Sequence, residues 1–445
     1  MNRITDLLDL EDANISISSI DIEGQTKAIY LETAPEAHFC PCCGFRMHSR
    51  GTKNRKINHP ILQDNYKLVL ILKQRRWRCT NPDCLYDISD SFKFVSKNRR
   101  TTNATDMLIV DAYRNQAESS ASISKRFHVS DTYAHDVFDR YVKLDRLPLT
   151  DAISVDEVFL DMDDSCKYAL VIQDFHTGDP IDLLRSRRMN ITEPYFTSIP
   201  PQERNSVKYL ISDMYNPYIS YVDKYFPNAV PVVDSFHVLQ WVTRSIDNYM
   251  RQLLKKYKQR DRERQEQLTS DPLHPVQLPI SDEVYILQKY RWLILSNQSN
   301  IRYHSDLRMD QHFHVLMNTY DYEDWLFRID SNLKDFRDLK EQYVLFNSRN
   351  GGNPIAARTE IDELIVVYKK SSYEMFRDFA ILLEKYKDPI INSFIMVEKV
   401  GKGKIYDSRL SNGPIESINR KVKDLKRLGR GFQNFEHFRN RFRYA

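Results

Sequence analysis

The spacing of apolar residues divides the chain into five regions. In residues 1–100, short apolar runs alternate with polar positions, which predicts β-strands. Residues 101–148 show the three-and-four spacing of amphipathic helices. Apolar runs bounded by turn residues return in residues 149–237, whereas residues 238–408 and 409–445 again have helical spacing. We therefore predict a multidomain α/β protein in which a region rich in strands is followed by a long helical region.

The pattern of a helix–turn–helix lies in residues 121–138. Ile123 and Phe127 would pack the first helix, Val129 lies in the turn, and Ser130 is placed to cap the second helix. Four residues of the second helix would face the core: Ala134, Val137, Phe138 and Tyr141.

In such a motif the start of the second helix enters the major groove of DNA. The exposed residues there, Thr132 and His135, are therefore candidate DNA contacts. Many helical hairpins share this pattern without binding DNA, so a purely structural hairpin stays an open alternative.

Five strands are predicted in the sheet region. Ala152–Leu160, Cys166–Phe175 and Ile181–Leu184 are joined by short turns and would form an antiparallel meander. Helices then link the meander to Val207–Asp213 and Val230–His237. Helix-linked strands after a meander predict a mixed sheet with helices packed on it.

Residues 238–408 have the apolar spacing of a series of amphipathic helices, one of which is predicted over Asp306–Leu316. The tryptophans of this region are Trp241, Trp292 and Trp325. A core position is the favoured interpretation of each, and none is assigned a catalytic role.

Composition restricts the class of protein. The chain has 445 residues, of which 41% are hydrophobic and 12% aromatic, as in globular domains with apolar cores. It contains no apolar run long enough to cross a membrane, so we expect a soluble, cytoplasmic protein without a membrane partner. Six cysteines are too few for a disulfide scaffold.

The net charge of +4 conceals two basic blocks. Residues 46–100 carry fourteen basic and four acidic side chains, and residues 409–445 carry ten and three. Aromatic residues lie among these cations, which favours binding of a long polyanion over ordinary solubilising charge. In the first block, Arg75, Arg76 and Arg78 are candidate contacts to a DNA backbone.

Four cysteines have the spacing of metal ligands. Cys40 and Cys43 form one close pair, and Cys79 and Cys84 form another, each within a turn. Two such pairs suit one tetrahedral Zn²⁺ ion with a structural role, because no coordination position stays open for substrate. Cys42 is interpreted as a bystander. Residues 1–100 are therefore predicted to form a zinc ribbon.

The C-terminal region contains a helix that opens at Gly413–Pro414. A charged stripe, separate from the apolar face, runs along this helix and consists of Glu416, Arg420, Lys423 and Arg427. This stripe fits a solvated helix face, or a metal ligand followed by three contacts to a phosphate backbone. The apolar face would consist of Ile415, Ile418, Val422 and Leu425.

Acidic residues of the predicted strands are further candidates for metal binding. Asp156 lies inside an apolar strand, where burying an unpaired carboxylate is costly. Asp213 ends the fourth strand, although it could also cap the next helix. Glu157 would point to the opposite face of the sheet and is set aside. Asp234 and His237 lie at the end of the fifth strand, where they could close the edge of the sheet.

These features together resemble a known family. The order of three strands, helix, strand, helix and strand, with Asp156 in the first strand and Asp213 ending the fourth, resembles the ribonuclease-H-like fold of DDE transposases. Asn412-Gly-Pro-Ile-Glu416 is similar to the segment that carries that family's last acid. With the cysteine pairs, the helix–turn–helix and the C-terminal segment 431–442, the chain resembles the ISL-three family of bacterial insertion-sequence transposases over essentially its whole length.

The resemblance implies a DNA transposase that binds terminal inverted repeats and carries out Mg²⁺-dependent phosphodiester hydrolysis and strand transfer. Asp156, Asp213 and Glu416 would hold two Mg²⁺ or Mn²⁺ ions, with Asp156 bridging both. The partners would be double-stranded DNA and further copies of the chain, as a homodimer or larger assembly in the bacterial nucleoid. A catalytically inactive DNA-binding regulator and a structure-specific nuclease are the alternatives.

The resemblance implies further roles. Asp234 and His237 resemble a signature of transposases that have a helical insertion, and they could support the metal site or contact DNA, with closure of the sheet edge an equal alternative. In related insertions a tryptophan stacks on a flipped base, and Trp241, Trp292 and Trp325 are the candidates for that contact.

The resemblance also gives names to the five regions. Residues 1–100 would be the zinc-ribbon domain and 101–148 the helix–turn–helix domain. The ribonuclease-H-like catalytic domain would comprise residues 149–237 and, after the all-α insertion 238–408, the C-terminal helices 409–445.

Overall fold

The computed structural model describes residues 8, 10, 12, 14–34, 36–60, 67–268, 278–401, 403–429 and 431–444. The chain divides into two compact units. The first consists of Met1–Arg146, Phe159–Lys167 and Arg420–Ala445, and the second consists of Leu147–Val158 and Tyr168–Asn419. Each unit therefore combines segments that are far apart in the sequence. The five domain ranges given above stay a prediction.

A mostly antiparallel sheet occupies the N-terminal part of the first unit. Its strands are β1 (Ile15–Glu23), β2 (Thr26–Thr33), β3 (Met47–Asn58), β4 (Lys67–Cys79) and β5 (Asp87–Ser89). They lie in the order β1-β2-β4-β3, with β5 also paired to β4, and only the β2–β4 pairing is parallel among those described. Apolar side chains of β2, β3 and β4 share one core, formed around Leu31, Ile57, Leu70 and Leu72.

Three helices follow in the first unit: α1 (Asn103–Ala112), α2 (Ser120–Phe127) and α3 (Asp131–Tyr141). Ser119 caps α2 through a reciprocal pair of hydrogen bonds with Ser122. Ser130 accepts a hydrogen bond from the amide of Tyr133 and so caps α3, as predicted. Between the two helices His128 adopts a φ of 52°, in the left-handed region that reverses a chain after a helix.

The predicted core of this helical pair is largely confirmed. Ile123, Ala134, Val137 and Phe138 are buried in one apolar cluster. The expectation for Tyr141 is wrong, since this residue is 43% exposed. It ends α3, and its ring lies against the guanidinium of Arg140 instead of the core.

The second unit contains a mixed sheet, as predicted. Its elements are β6 (Ala152–Phe159), β7 (Tyr168–Asp174), β8 (Pro180–Leu184), α4 (Met189–Ser198), α5 (Pro201–Ser206), β9 (Tyr209–Ser212), α6 (Asn216–Tyr225) and β10 (Val230–Val233). The strand order is β10-β9-β6-β7-β8. β9 runs parallel to both β6 and β10, whereas β7 and β8 are antiparallel. Aromatic side chains of α4 and α6 cover one face, with Phe196 stacked on Tyr225.

Helices dominate the rest of the second unit. They are α7 (Ser235–Leu268), α8 (Asp282–Lys289), α9 (Trp292–Leu295), α10 (Thr319–Ile329), α11 (Asn332–Arg349), α12 (Pro354–Lys369), α13 (Glu374–Lys385) and α14 (Lys387–Asn392). The all-α prediction for residues 238–408 is nevertheless wrong. Two hairpins lie in this range: β11 (Arg308–Asp310) with β12 (Val315–Met317), and β13 (Met396–Gly401) with β14 (Lys404–Arg409).

The helix predicted over Asp306–Leu316 is the clearest error, and Asp310 gives its physical reason. The Oδ1 atom of Asp310 accepts the backbone amides of His312 and Phe313, which closes a turn in place of a helix. Its Oδ2 atom accepts the hydroxyls of Tyr285 and Tyr322 from neighbouring helices. Tertiary hydrogen bonds at one aspartate thus override a helical apolar spacing.

Two helices end the described chain: α15 (Gly413–Leu428) and α16 (Phe435–Tyr444). The predicted apolar face of α15 is confirmed, because Ile415, Ile418, Val422 and Leu425 are all buried. Within the first unit, Tyr444 of α16 packs against Phe138 of α3, with ring centroids 5.6 Å apart. The helices of the first unit therefore come from both halves of the sequence.

Arg441 of α16 ties these segments together. It is only 2% exposed, and its guanidinium lies 4.8 Å from the ring of Tyr113. One nitrogen donates to the backbone carbonyls of Asn115 and Glu118, at 2.7 and 3.0 Å. Burial lowers the pKa of this guanidinium to about 10, so it stays cationic at neutral pH.

We expect Arg441→Met to destabilise the first unit by about 2 to 4 kcal/mol, because two buried carbonyls lose their donor while the side-chain volume is kept. Thermal or urea unfolding monitored by circular dichroism measures the change. Lys125→Met, at an exposed position of α2, is the matched control and should leave the transition unchanged. Equal stability of the two variants would contradict this role of Arg441.

Candidate active site and metal centre

Two aspartates meet at one edge of the mixed sheet. Strands β6 and β9 are parallel neighbours, with Ser154 opposite Ile211, so their carboxyl ends reach the same edge. Asp156 follows two residues after Ser154, and Asp213 follows directly after β9. The pKa of Asp156 is raised to about 7, mainly by burial and secondly by the negative charge of Asp213. The two carboxylates therefore interact electrostatically in a partly desolvated place.

Asp213 has an incomplete set of partners. Its pKa is raised, mainly by burial and secondly by the negative charge of Glu157. The charges of His237 and Arg187 lower the same pKa. Its Oδ1 atom is buried and has no hydrogen-bond partner among the described residues. A buried carboxylate oxygen without a donor is costly, and a bound cation is one way to remove that cost.

Asp234 joins the starts of two helices at the same edge. Its Oδ1 atom accepts the amide of Phe236 in α7, at 2.9 Å, and its Oδ2 atom accepts the amide of Asn412 before α15, at 2.8 Å. The strand predicted over Val230–His237 therefore ends earlier, at Val233, since Asp234 begins a helix instead.

His237 interacts with both Glu416 and Asp213. In the first turn of α7, its Nε2 atom is 3.8 Å from Oε1 of Glu416, in the first turn of α15. The positive form of the same imidazole would offset the charge of Asp213. The structure thus brings Glu416 close to a residue whose charge acts on Asp213, across a long stretch of intervening sequence.

Glu157 has a different environment from Asp156. One of its carboxylate oxygens accepts from Arg187 at 2.8 Å, and the other accepts from the hydroxyl of Tyr218 at 2.7 Å. The guanidinium of Arg187 lies 4.8 Å from the ring of Tyr168 and 5.1 Å from the ring of Tyr215. Both oxygens of Glu157 thus have protein donors. No sequence pattern had singled out Arg187 or Tyr218.

The donors at this edge suit a hard cation such as Mg²⁺, which prefers oxygen ligands. Several buried polar atoms here lack a hydrogen-bond partner in the described part of the chain: Asp213 Oδ1, His237 Nε2, Asn419 Oδ1, and both polar side-chain atoms of Asn412. In the described residues, two groups of His, Cys, Asp or Glu side chains have their ligand atoms within 4.8 Å of one another, and the three acids belong to neither group. The three acids therefore do not form a tight cluster around a single ion. A pair of ions about 3.5–4 Å apart requires a wider spread of ligands.

The four predicted cysteines converge in the first unit. Sγ atoms of Cys40 and Cys84 are 3.7 Å apart, and those of Cys43 and Cys79 are 3.3 Å apart. All four lie within 4.8 Å of one another. Tetrahedral zinc with bonds of about 2.3 Å places its sulfurs about 3.8 Å apart, so the cluster is compatible with structural zinc. Cys42 is exposed, in agreement with its interpretation as a bystander.

The predicted DNA contacts differ in their availability. Arg78 forms an ion pair with Asp87 at 3.1 Å, and Arg75 lies 5.8 Å from the ring of Trp77, which is itself buried. His135 stacks on His437 with centroids 3.7 Å apart and pairs with Asp139. The remaining candidates are exposed: Arg76, Thr132, Arg420, Lys423 and Arg427.

The predicted tryptophans also differ. Trp241 stacks on Phe379 and Trp325 on Phe313, which fits core positions. Trp292 is 44% exposed.

Comparison with known sequences supplies the family. The sequence profile of a transposase family, that of the ISL-three insertion sequences, matches residues 153–442. This range is more than half of the chain, and it includes Asp156, Asp213 and Glu416. The chain belongs to the ISL-three transposase family. No curated protein matches it. In the described part of this transposase, no helix is both long and apolar enough to span a membrane.

For the cysteine cluster, we expect Cys40→Ser to reduce bound zinc from about one ion per chain to near zero, because one of four thiolate ligands is lost. Elemental analysis of the purified transposase measures the ion, and thermal unfolding measures the accompanying loss of stability. Cys42→Ser changes an exposed neighbour in the same turn and should retain the full zinc content. Retention of zinc by Cys40→Ser would exclude the four-thiolate site.

Proposed function

We propose that this transposase cuts and joins DNA at the edge where Asp156, Asp213 and Glu416 converge. The observation that carries the proposal is the electrostatic interaction of Asp156 with Asp213, together with the 3.8 Å approach of Glu416 to His237, whose charge acts on Asp213. The strand order β10-β9-β6-β7-β8, with β6 at the centre and β9 parallel to both of its neighbours, supports a ribonuclease-H-like sheet. The family profile covers all three acids, which supports the same assignment.

Asp156, Asp213 and Glu416 would hold two Mg²⁺ or Mn²⁺ ions. Bound there, the ions would supply an activated water or 3′-hydroxyl and neutralise the leaving oxygen. Asp156 and Asp213 would remain ionised together once a cation offsets their mutual repulsion. His237 would support Glu416 from one side, and Asp234 would fix the two helix starts that carry His237 and Glu416.

The first unit would bind the DNA. Structural zinc on Cys40, Cys43, Cys79 and Cys84 would hold the turns beside the basic strand β4. The helices α2 and α3 are short, capped and joined by a tight turn, which supports a helix–turn–helix role for them. Exposed Arg420, Lys423 and Arg427 on α15 would continue along the phosphate backbone. Terminal inverted repeats of the element are the proposed DNA.

We further propose that the active complex contains at least two copies of the chain. Transposition by strand transfer joins two element ends to a target, so two active sites need to be brought together. Double-stranded DNA would be the partner that assembles them.

The acids provide the decisive test. Asp156→Asn, Asp213→Asn and Glu416→Gln should each lower Mg²⁺-dependent cleavage of a terminal-repeat duplex by more than about a hundredfold, because each removes a metal ligand. Affinity for the same duplex, measured by fluorescence anisotropy, should stay within about threefold, since the changes leave the positive surface intact. Strand transfer of a labelled end to a plasmid is the second readout.

Asp179→Asn is the matched control, because Asp179 is an exposed aspartate of the same unit. It should cleave at the rate of the unaltered protein. Normal cleavage by the three acid variants would exclude these acids as the catalytic centre. DNA binding without any cleavage by the unaltered protein would favour a catalytically inactive regulator. Cleavage without strand transfer would favour a structure-specific nuclease.

A further inference from the structure

Asn419 makes a direct hydrogen bond to one of the acids. Its side-chain Nδ2 donates to Oδ2 of Asp156 at 2.7 Å, linking α15 to strand β6. The residue is only 7% exposed. Its Oδ1 atom is buried and lacks a hydrogen-bond partner within the described residues.

The orientation of this amide follows from the chemistry of its neighbour. An ionised carboxylate only accepts hydrogen bonds, so the atom that faces Asp156 has to be the amide nitrogen. The amide oxygen then points away from Asp156, and it has no protein donor in the described chain. Carbonyl oxygens of this kind are ligands of hard cations and acceptors for the water bound to them.

The position of Asn419 on α15 explains how it reaches the site. Residues three apart on a helix lie on the same side, so Glu416 and Asn419 face the same region. Ile415 and Ile418, which are buried, hold the adjoining side of the helix against the core. One helix turn therefore delivers both a carboxylate and an amide to the edge of the sheet.

Four other buried polar atoms without a hydrogen-bond partner in the described chain belong to Asp213, His237 and Asn412, at the same edge of the sheet. Buried polar groups without partners are rare in folded proteins, and several in one place indicate a bound ion or ordered water. A simple structural clamp between α15 and β6 accounts for the Nδ2 atom of Asn419. It leaves the Oδ1 atom without explanation.

We propose that Asn419 is a positioning residue of the metal site: its Nδ2 orients Asp156, and its Oδ1 supplies a further oxygen to the divalent cation or its bound water. This inference rests on the proposed function, because it requires a cation at Asp156. It assigns to the chain a fourth residue of the metal site besides Asp156, Asp213 and Glu416.

The test measures binding of Mn²⁺ alone to the full-length protein, from the electron paramagnetic resonance signal of free Mn²⁺, without DNA or turnover. We expect Asn419→Ala to weaken Mn²⁺ binding by about ten- to a hundredfold, the usual effect of removing a residue that orients a metal ligand. Asn419→Leu keeps the side-chain shape and should show the same loss. Ser417→Ala, at an exposed position of the same helix, is the control and should bind as the unaltered protein does.

A clamp without a metal role predicts a lower melting temperature but unchanged Mn²⁺ affinity for both Asn419 variants. That result would overturn the inference and leave the proposed function intact, provided that Asp213→Asn loses Mn²⁺ binding. If the unaltered protein and Asp213→Asn bind Mn²⁺ equally, the cation is not at the acids, and both the inference and the proposed metal chemistry fail. Should Asn419→Ala not fold, Asn419→Leu decides between these outcomes.

Discussion

The main physical constraint in the second unit is the electrostatic repulsion between two partly buried carboxylates, those of Asp156 and Asp213. Burial and the charge of Asp213 raise the pKa of Asp156 to about 7, and burial with the charge of Glu157 raises that of Asp213. Such an arrangement disfavours the ionised forms of both groups. Proteins rarely retain unpaired buried charge unless it serves a site, and a divalent cation is the partner that would convert this repulsion into binding.

The surrounding residues reduce the cost in different ways. Glu157 has donors at both oxygens, Arg187 and Tyr218, so its charge is compensated by protein groups. Asp156 accepts hydrogen bonds only from uncharged donors among the described residues, the backbone amide of Glu157 at one oxygen and the side chain of Asn419 at the other. One oxygen of Asp213 has no hydrogen-bond partner in the same part of the chain. The difference separates a structural ion pair from the proposed cation site. Neighbouring acids in one strand thereby have different roles.

The cysteine cluster of the first unit is a second group of ionisable side chains that lie close together, with sulfur in place of oxygen as the ligand atom. Four thiols within 4.8 Å of one another occupy turns that have only a small apolar cluster of their own, including Trp77 and Met47. Zinc bonds would supply there the stability that hydrophobic burial supplies in larger cores. Soft thiolates at one site and hard oxygens at the other would keep zinc and magnesium in separate places.

The sequence by itself determined those features that depend on local spacing. The cysteine pairs, the cap at Ser130, the strands around Asp156 and Asp213, and the buried face of α15 all follow from short-range patterns, because turns, caps and amphipathic faces are properties of neighbouring residues. Only the tertiary structure decided the partners of Asp156, Glu157 and Asp310. It also decided that Asp234 starts a helix, and that α16 packs with the N-terminal helices of its unit. These outcomes depend on side chains that are distant in sequence, and such hydrogen bonds leave no periodic trace along the chain.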